Sequence, residues 1–175
     1  RGEKVGLIGP NGSGKTTLFS LILGEIEPSK GNIQINKNTN IGYLPQESHF
    51  STEYSVIGEL TQGEEAIIKL KQEKEALEKE NAAGTARYGD ILHELEVSGY
   101  FELEHKAKKI LMGLGFKERD FSRPITQLSG GWQMRTLLAK LLTFDYNLLL
   151  LDEPTNYLDL NAALWLKNYL SGFRG

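Results

Sequence analysis

Short hydrophobic runs recur along the chain and predict strands. Residues 5–8, Ile41–Leu44 and Leu148–Leu151 are apolar runs of four residues, a pattern that is typical of buried strands. Residues 31–35 alternate between polar and apolar side chains and therefore predict a strand that is half exposed. The four consecutive leucines of Leu148–Leu151 predict a strand that is buried on both faces of a parallel sheet.

Amphipathic stretches separate these runs and predict helices. Residues 15–23 predict a helix that stops at Gly24, and the charged residues 64–80 predict another helix with one apolar stripe. Residues 91–97 and 103–114 predict two further amphipathic helices. The middle of the chain is therefore expected to be helical.

The strongest helical pattern lies near the end of the chain. One face carries Met134, Leu137, Leu138, Leu141 and Leu142. This spacing predicts a helix, and Ser129-Gly130-Gly131 marks its start. The order strand, helix, helical region, helix, strand, helix predicts an α/β fold.

Composition narrows the class of protein. The chain has 175 residues, 39% of them hydrophobic and 25% charged, which is typical of a globular domain. Its net charge of −3 argues against a bulk electrostatic grip on nucleic acid, so no DNA partner is expected. No apolar run reaches the ~18 residues of a membrane span, and the absence of cysteine is compatible with a reducing compartment. We therefore expect a cytoplasmic protein that does not insert into a membrane.

Residues 9–17, GPNGSGKTT, contain the sequence of a phosphate-binding loop between a predicted strand and a predicted helix. In such a loop the glycines let successive backbone amides point at anionic oxygens. The amides in question belong to Asn11, Gly12, Ser13 and Gly14. Lys15 is then placed to reach the outer phosphates, and the Thr16 hydroxyl is placed to coordinate Mg²⁺. The alternative is a glycine-rich turn with an incidental lysine.

Two carboxylates follow the leucine run. Asp152 and Glu153 are expected at the carboxyl edge of the sheet, where open α/β sheets bind ligands. Asp152 suits the shell of a metal ion, and Glu153 is placed to act as a general base on water. Alone, such a pair would more simply solubilise the end of a strand, but the phosphate loop favours the catalytic interpretation.

Four motifs occur together in one order and carry a resemblance to a family. They are the phosphate loop, Gln46 in YLPQE, Leu128-Ser129-Gly130-Gly131, and LLLLDEP at residues 148–154. Together they resemble the nucleotide-binding domain of the ABC ATPase superfamily. LSGGWQMR followed by LLLLDEPTNYLDL is similar to the ABC-F group, and the chain looks like part of the first domain of such a protein.

The resemblance implies roles for further residues. Gln46 would touch the metal ion and the attacking water, Thr17 an inner phosphate, and Asp159 would lie in a loop that communicates across a domain pair. The signature residues Ser129, Gly130 and Gly131 would bind the nucleotide of a second ABC domain. This role in trans has a physical basis, because a glycine-opened helix start is itself an anion-binding end.

This chain departs from the family pattern at several positions. Trp132 stands where the superfamily commonly has glutamine, and Tyr157 stands where the ABC-F group commonly has histidine. A switch histidine and an upstream adenine-stacking aromatic are also expected of the family. His49, His93 and His105 all precede Glu153, so none matches the switch position, and we interpret them as ordinary surface or partly packed residues. A fragment of this kind is expected to hydrolyse ATP weakly by itself.

The predicted fold is thus a P-loop NTPase with a mainly parallel core sheet, a short antiparallel β segment and an inserted α-helical subdomain. Residues 1–50 and 145–175 would form the catalytic core. Residues 51–144 would form the helical region, including the signature motif and its helix.

The leading functional hypothesis is an ABC-F ATPase domain that binds ATP and Mg²⁺, closes head to tail on a second ABC domain, and acts on the ribosome. The alternative is the ATP-binding subunit of a membrane transporter. The long, helical interval between Gln46 and Leu128 suits the ABC-F group better. Chromosome-maintenance ATPases would need longer coiled coils, and an inactive domain would not need intact Lys15, Asp152 and Glu153.

A basic cluster in the predicted helix 103–114 offers a possible ribosomal RNA contact. It consists of His105, Lys106, Lys108 and Lys109. Such a cluster can contact phosphates, but it is more often a solvated helix face.

Overall fold

The computed structural model describes residues 3–47, 54–61 and 65–173. Within these ranges the helices are α1 (Lys15–Leu23), α2 (Val56–Leu60), α3 (Glu65–Lys79), α4 (Ala86–Val97), α5 (Tyr100–Gly113), α6 (Gly130–Thr143) and α7 (Leu160–Gly172). The strands are β1 (Ile41–Leu44) and β2 (Leu148–Leu151), and 3₁₀ turns lie at Glu118–Asp120 and Ile125–Gln127. Residues 48–53 and 62–64, which include His49 and part of the predicted helical region, lie outside the described residues.

The sheet is parallel, as the sequence predicts. β1 and β2 are neighbours although α2 to α6 lie between them along the chain, which is the long crossover that parallel strands require. Leu44 lies opposite Leu151, and the backbone amide of Asp152 then donates to the carbonyl of Leu44 at 3.0 Å. Gly42 lets α6 pack directly on β1, since a Cβ there would lie 2.8 Å from the Leu141 side chain. The predicted α/β arrangement with a parallel sheet is therefore confirmed.

Two predicted strands are not formed. Residues 5–8 and 31–35 pair with no other strand among the described residues, so the two strands predicted there are wrong. Val5 is 84% exposed and Ile8 is 96% exposed, which is the opposite of a buried strand. An apolar run becomes a strand only where another strand supplies backbone partners. Here a cavity of about 610 Å³, with residues 3–5 and 7 and all of β2 in its lining, lies beside the run.

The cavity also leaves β2 less buried than the sequence predicts. Only Leu150 is buried, while Leu148, Leu149 and Leu151 are half-buried, so the prediction of burial on both faces is wrong. All four leucines line the cavity. A strand that has one neighbour and one open flank cannot be covered on every side.

Local signals set the helix ends. α1 ends where the sequence predicts, because Gly24 takes the left-handed conformation with φ 75° and closes the last turn. α4 begins earlier than predicted, since the Thr85 side chain accepts a hydrogen bond from the amide of Tyr88 and caps the helix. α5 also begins early, directly after Gly99, whose φ is 73°.

α6 lies at the centre of the main hydrophobic core. Its buried residues include Met134, Leu138, Leu141 and Leu142, which pack in one cluster with residues of α2, α5, α7 and β1. Each fully buried leucine contributes about 1.5–3 kcal/mol to stability, so this face fixes α6 against the sheet. A smaller cluster of Ile91, Leu95 and Tyr100 packs with apolar residues of α3.

None of the helices in the described ranges combines the length and the apolar composition that crossing a lipid bilayer demands.

Candidate functional site

The glycine loop before α1 has a backbone that only glycine adopts easily. Gly12 and Gly14 have φ of 79° and 89°, in the left-handed region. The amide of Ser13 donates to the carbonyl of Pro10 at 3.2 Å, which closes a turn. Gly14 then stands at the N-cap of α1 without a side chain to cap it. The amides at this helix start are therefore available to an anion.

Lys15 bends over the same loop. Its ammonium donates to the carbonyls of Gly9 at 2.9 Å and Pro10 at 3.1 Å. The positive charge therefore lies at the loop itself rather than in open solvent, which is where an anion bound to the loop would meet it.

Thr16 connects the loop to the end of β2. Its hydroxyl donates to the carboxylate of Asp152 at 2.7 Å, although the two residues are far apart in sequence. Asp152 is only 4% exposed. The structure thus brings together Thr16 and Asp152, two of the three side chains that the sequence and the family resemblance assign to Mg²⁺. Thr17, the next residue of the loop, is exposed.

The hydroxyl and carboxylate oxygens of Thr16 and Asp152 are the hard oxygen ligands that Mg²⁺ prefers. No group of three or more histidine, cysteine or acidic residues able to hold a metal occurs in the parts of the chain that are described. An ion here would therefore depend on this pair together with oxygens from a phosphate or water, which is how Mg²⁺ is usually held in phosphate sites. The residues present fit such an ion.

Glu153 has a strained backbone and a fixed carboxylate. Its φ is 47°, which is uncommon for a residue other than glycine and is found most often at functional sites. Asn156 stabilises this turn twice: its amide donates to the Glu153 carbonyl at 3.1 Å, and its side-chain Nδ2 donates to Oε2 of Glu153 at 2.7 Å. The sequence reasoning did not select Asn156, and its position three residues after an acid in a turn is the signal that could have found it.

Gln46 lies two residues after β1 and is exposed. The structure fixes its backbone, because the hydroxyl of Tyr157 donates to its carbonyl oxygen at 3.0 Å. No hydrogen bond joins the Gln46 side chain to Thr16 or to Asp152. The structure therefore places Gln46 at the same edge of the sheet without bringing its amide into the Thr16 and Asp152 pair.

The signature residues open α6. Ser129 is the N-cap but its side chain makes no capping hydrogen bond, and Ser129 and Gly130 are exposed. No hydrogen bond connects Ser129, Gly130 or Gly131 to the glycine loop. Within the described chain the start of α6 and the start of α1 therefore do not contact each other through hydrogen bonds.

Arg135 joins the start of α6 to the segment after β2. Its guanidinium donates to the carbonyls of Tyr157 at 2.6 Å and Leu114 at 3.1 Å, and to the carboxylate of Asp159 at 3.0 Å. It also lies over the ring of Trp132, 4.5 Å from the ring centroid. Sequence reasoning missed Arg135, because nothing in a single sequence says which acceptors an arginine will find.

Asp159 has a local role in addition to the one that the resemblance implies. Its carboxylate accepts a hydrogen bond from the amide of Ala162 at 3.0 Å and so caps α7. That hydrogen bond, together with Arg135, holds the pKa of Asp159 below its usual range. An aspartate directly before an apolar helix is a capping signal that the sequence does contain.

Two of the four residues in the candidate RNA-binding cluster form ion pairs. Lys106 pairs with Asp145 at 2.8 Å and Lys108 pairs with Glu104 at 2.8 Å. Exposed ion pairs of this kind are typical of a solvated helix face, which favours that interpretation of the cluster.

A glycine loop at a helix start, a lysine over the loop, and a hydroxyl–carboxylate pair at the carboxyl ends of parallel strands together define a P-loop nucleotide-binding domain. Comparison with known families agrees, because the profile of the ABC transporter family matches residues 1–156. The chain belongs to this family and contains its ATP-binding domain.

Curated relatives place it near the ABC-F group. The chain is 37% identical to the probable ATP-binding protein YheS of Haemophilus influenzae, over 99% of this chain and 27% of that protein. It is 39% identical to ABC transporter F family member 5 of Arabidopsis thaliana, over 97% of this chain and 26% of that protein. The chain thus spans about a quarter of the length of these relatives.

Solved structures share the fold. A crystal structure of archaeal ribosome recycling factor aABCE1 with ribosomal stalk protein aP1 matches 97% of this chain and 27% of the solved chain, at a TM-score of 0.62 and 26% identity. An ATP-binding subunit of an ABC transporter matches 98% of this chain and 63% of the solved chain, at a TM-score of 0.66 and 23% identity. The second likeness shows the fold alone.

Proposed function

We propose that this domain hydrolyses ATP, closes head to tail on a second ABC domain, and belongs to a cytoplasmic ABC-F protein that acts on the ribosome. The observation that carries the ATPase proposal is the 2.7 Å hydrogen bond between Thr16 and Asp152. It joins the phosphate loop to the end of the strand that carries Glu153. A loop that only turned the chain would need no such partner.

Different residues bind different parts of the triphosphate and its metal ion. The backbone amides of Asn11, Gly12, Ser13 and Gly14 bind phosphate oxygens, with Thr17 on an inner phosphate. When the nucleotide binds, the Lys15 ammonium gives up its hydrogen bonds to the loop carbonyls and binds the outer phosphates instead. Thr16, Asp152 and Gln46 would hold Mg²⁺, which when bound neutralises charge on the phosphates.

Glu153 supplies the base for hydrolysis. The oxygen of a water forms a bond to the terminal phosphorus, the bond from that phosphorus to the ADP oxygen breaks, and Glu153 takes the proton of the water. Asn156 holds one carboxylate oxygen at 2.7 Å, so the other oxygen is left to face the water. Gln46 is exposed and lies two residues beyond the end of the neighbouring strand β1.

A second ABC domain would complete the site. Ser129, Gly130 and Gly131 form a glycine-opened helix start that makes no hydrogen bond to the glycine loop among the described residues, so we assign it to the nucleotide of the partner domain. The exposure of Ser129 and Gly130 supports this assignment. ATP bound between the two domains would favour the closed pair, because the closed pair binds ATP more tightly than the open one.

The ribosome is the proposed target because the ABC-F relatives lie at 37–39% identity and a ribosome recycling factor shares the fold at 26% identity. The alternative is coupling to a membrane transporter, which the likeness to a transporter subunit supports at the level of the fold.

The test uses the full-length protein with Glu153→Gln. We expect ATP binding to persist while kcat falls about 100-fold or more, the usual contribution of a general base. With ATP, this variant should co-sediment with ribosomes. The matched control is Lys15→Ala combined with Glu153→Gln, which should bind neither ATP nor ribosomes. Rapid turnover by Glu153→Gln would refute the base assignment, and copurification of a membrane protein instead of ribosomes would favour the transporter.

A further inference from the structure

Tyr157 connects three segments of the candidate site. Its hydroxyl donates to the Gln46 carbonyl at 3.0 Å, and its own carbonyl accepts from Nε of Arg135 at 2.6 Å. Its ring lies at the start of α6, where a Cβ on Gly131 would be 3.6 Å from Cδ1 of the ring. One residue therefore joins the Gln46 segment to the signature helix, through its hydroxyl and its backbone carbonyl, and it stands four residues after Glu153.

The register of the sheet explains why a link is needed at this point. Leu44 and Leu151 are opposite each other, and the Asp152 amide makes the next backbone hydrogen bond to Leu44. Gln46 and Glu153 each lie two residues beyond this aligned pair. The pairing of β1 and β2 thus stops just before both residues. Beyond this point the Tyr157 hydroxyl anchors the Gln46 backbone to the segment that follows Glu153.

Tyr157 is held firmly enough to act as such a link. The Arg135 side chain that binds its carbonyl is 11% exposed and also binds Asp159 and the Leu114 carbonyl. The ring itself is half-buried against the main core. A phenol fixed by its backbone and its ring loses little further entropy when its hydroxyl makes a hydrogen bond.

We propose that Tyr157 is a positioning residue that sets the place of Gln46 relative to Glu153. The inference rests on the proposed function, in which Gln46 serves ATP hydrolysis. Tyr157 acts through the Gln46 backbone rather than on the nucleotide. Removing its hydroxyl should therefore slow turnover without weakening the binding of ATP.

The first experiment tests the link itself by hydrogen exchange in the full-length protein. Tyr157→Phe keeps the ring and removes only the hydroxyl, so the hydrogen-bonded β1 amides in a peptide spanning residues 41–47 should exchange faster than in the wild type, because the segment that follows β1 loses its anchor. Tyr169→Phe is the matched control, because the Tyr169 hydroxyl likewise donates to a backbone carbonyl, that of Leu142 at 2.8 Å, away from the site. It should leave exchange in the 41–47 peptide unchanged. Equal exchange of this peptide in Tyr157→Phe and wild type overturns the proposal, whether or not the protein hydrolyses ATP.

The second experiment tests the consequence for turnover with a double-mutant cycle. Tyr157→Phe should lower kcat about 3- to 10-fold, the scale of one hydrogen bond, while KM for ATP changes less than about 2-fold. In a Gln46→Ala background Tyr157→Phe should have no further effect, because residues that act as one unit are not additive. A purely structural role would lower kcat equally in both backgrounds, and that result also overturns the proposal.

The two experiments separate this inference from the proposed function. If Gln46→Ala leaves kcat unchanged, the assigned role of Gln46 fails and the idea that Tyr157 positions it for turnover fails with it. If Gln46→Ala lowers kcat but Tyr157→Phe does not, the role of Gln46 stands and only the positioning role of Tyr157 falls.

Discussion

Gly113 offers a quantitative test of the packing between α5 and α7. A methyl group at Gly113 would overlap the indole ring of Trp165. That ring is stacked on Tyr169 with 5.2 Å between centroids, so it cannot move without disturbing a second contact. Gly113→Ala should therefore lower the stability of the domain, although alanine is the better helix former.

The magnitude follows from two opposing terms. Overpacking costs about 1–3 kcal/mol, and replacing a helical glycine by alanine returns up to about 1 kcal/mol. The net loss is therefore between about 0 and 3 kcal/mol, and its middle value of about 1.5 kcal/mol corresponds to a fall of roughly 3–6 °C in Tm for a domain of this size. Gly89→Ala is the matched control, since Gly89 lies within α4 and a Cβ there meets nothing within 4 Å. It should raise Tm by roughly 2–4 °C at most.

The assay is differential scanning calorimetry of the full-length variants, following the transition of this domain. Opposite signs for Gly113→Ala and Gly89→Ala would support the packing of α5 against Trp165. A rise in Tm with Gly113→Ala equal to that with Gly89→Ala would refute the reasoning, because it would mean that only helix propensity distinguishes the two positions.

Three further predictions concern the site. Lys15→Ala should abolish ATP binding by the full-length protein in calorimetric titration, since it removes the charge at the loop. Asn156→Ala should lower kcat for phosphate release about 3- to 10-fold with little change in KM, because it frees the Glu153 carboxylate. The pKa of Asp159 is lowered by its hydrogen bonds to the Ala162 amide and to Arg135, so its stabilising contribution should be present above its unfolded pKa of about 4 and lost as pH falls through the folded value. In Asp159→Asn, a plot of Tm against pH should be flatter below about pH 4; an unchanged slope there would contradict this account.

The sequence by itself determined the elements whose signals are local. α1 ends at Gly24, α6 starts after Ser129, and both parallel strands lie where apolar runs predict them. A helix makes its hydrogen bonds within a few residues, so spacing and caps suffice to place it. The glycine loop is equally local, because glycine takes left-handed φ without steric cost and Gly12 and Gly14 both do so.

Tertiary structure decided everything that needs a distant partner. Residues 5–8 have the composition of a strand but pair with none in the described chain, since a strand obtains its hydrogen bonds from a neighbour. The links from Arg135 to Asp159 and from Tyr157 to Gln46 likewise depend on where chain segments meet. The sequence determines which chemical groups the chain carries. Only the folded structure brings the Tyr157 hydroxyl within 3.0 Å of the Gln46 carbonyl, which lies more than a hundred residues away.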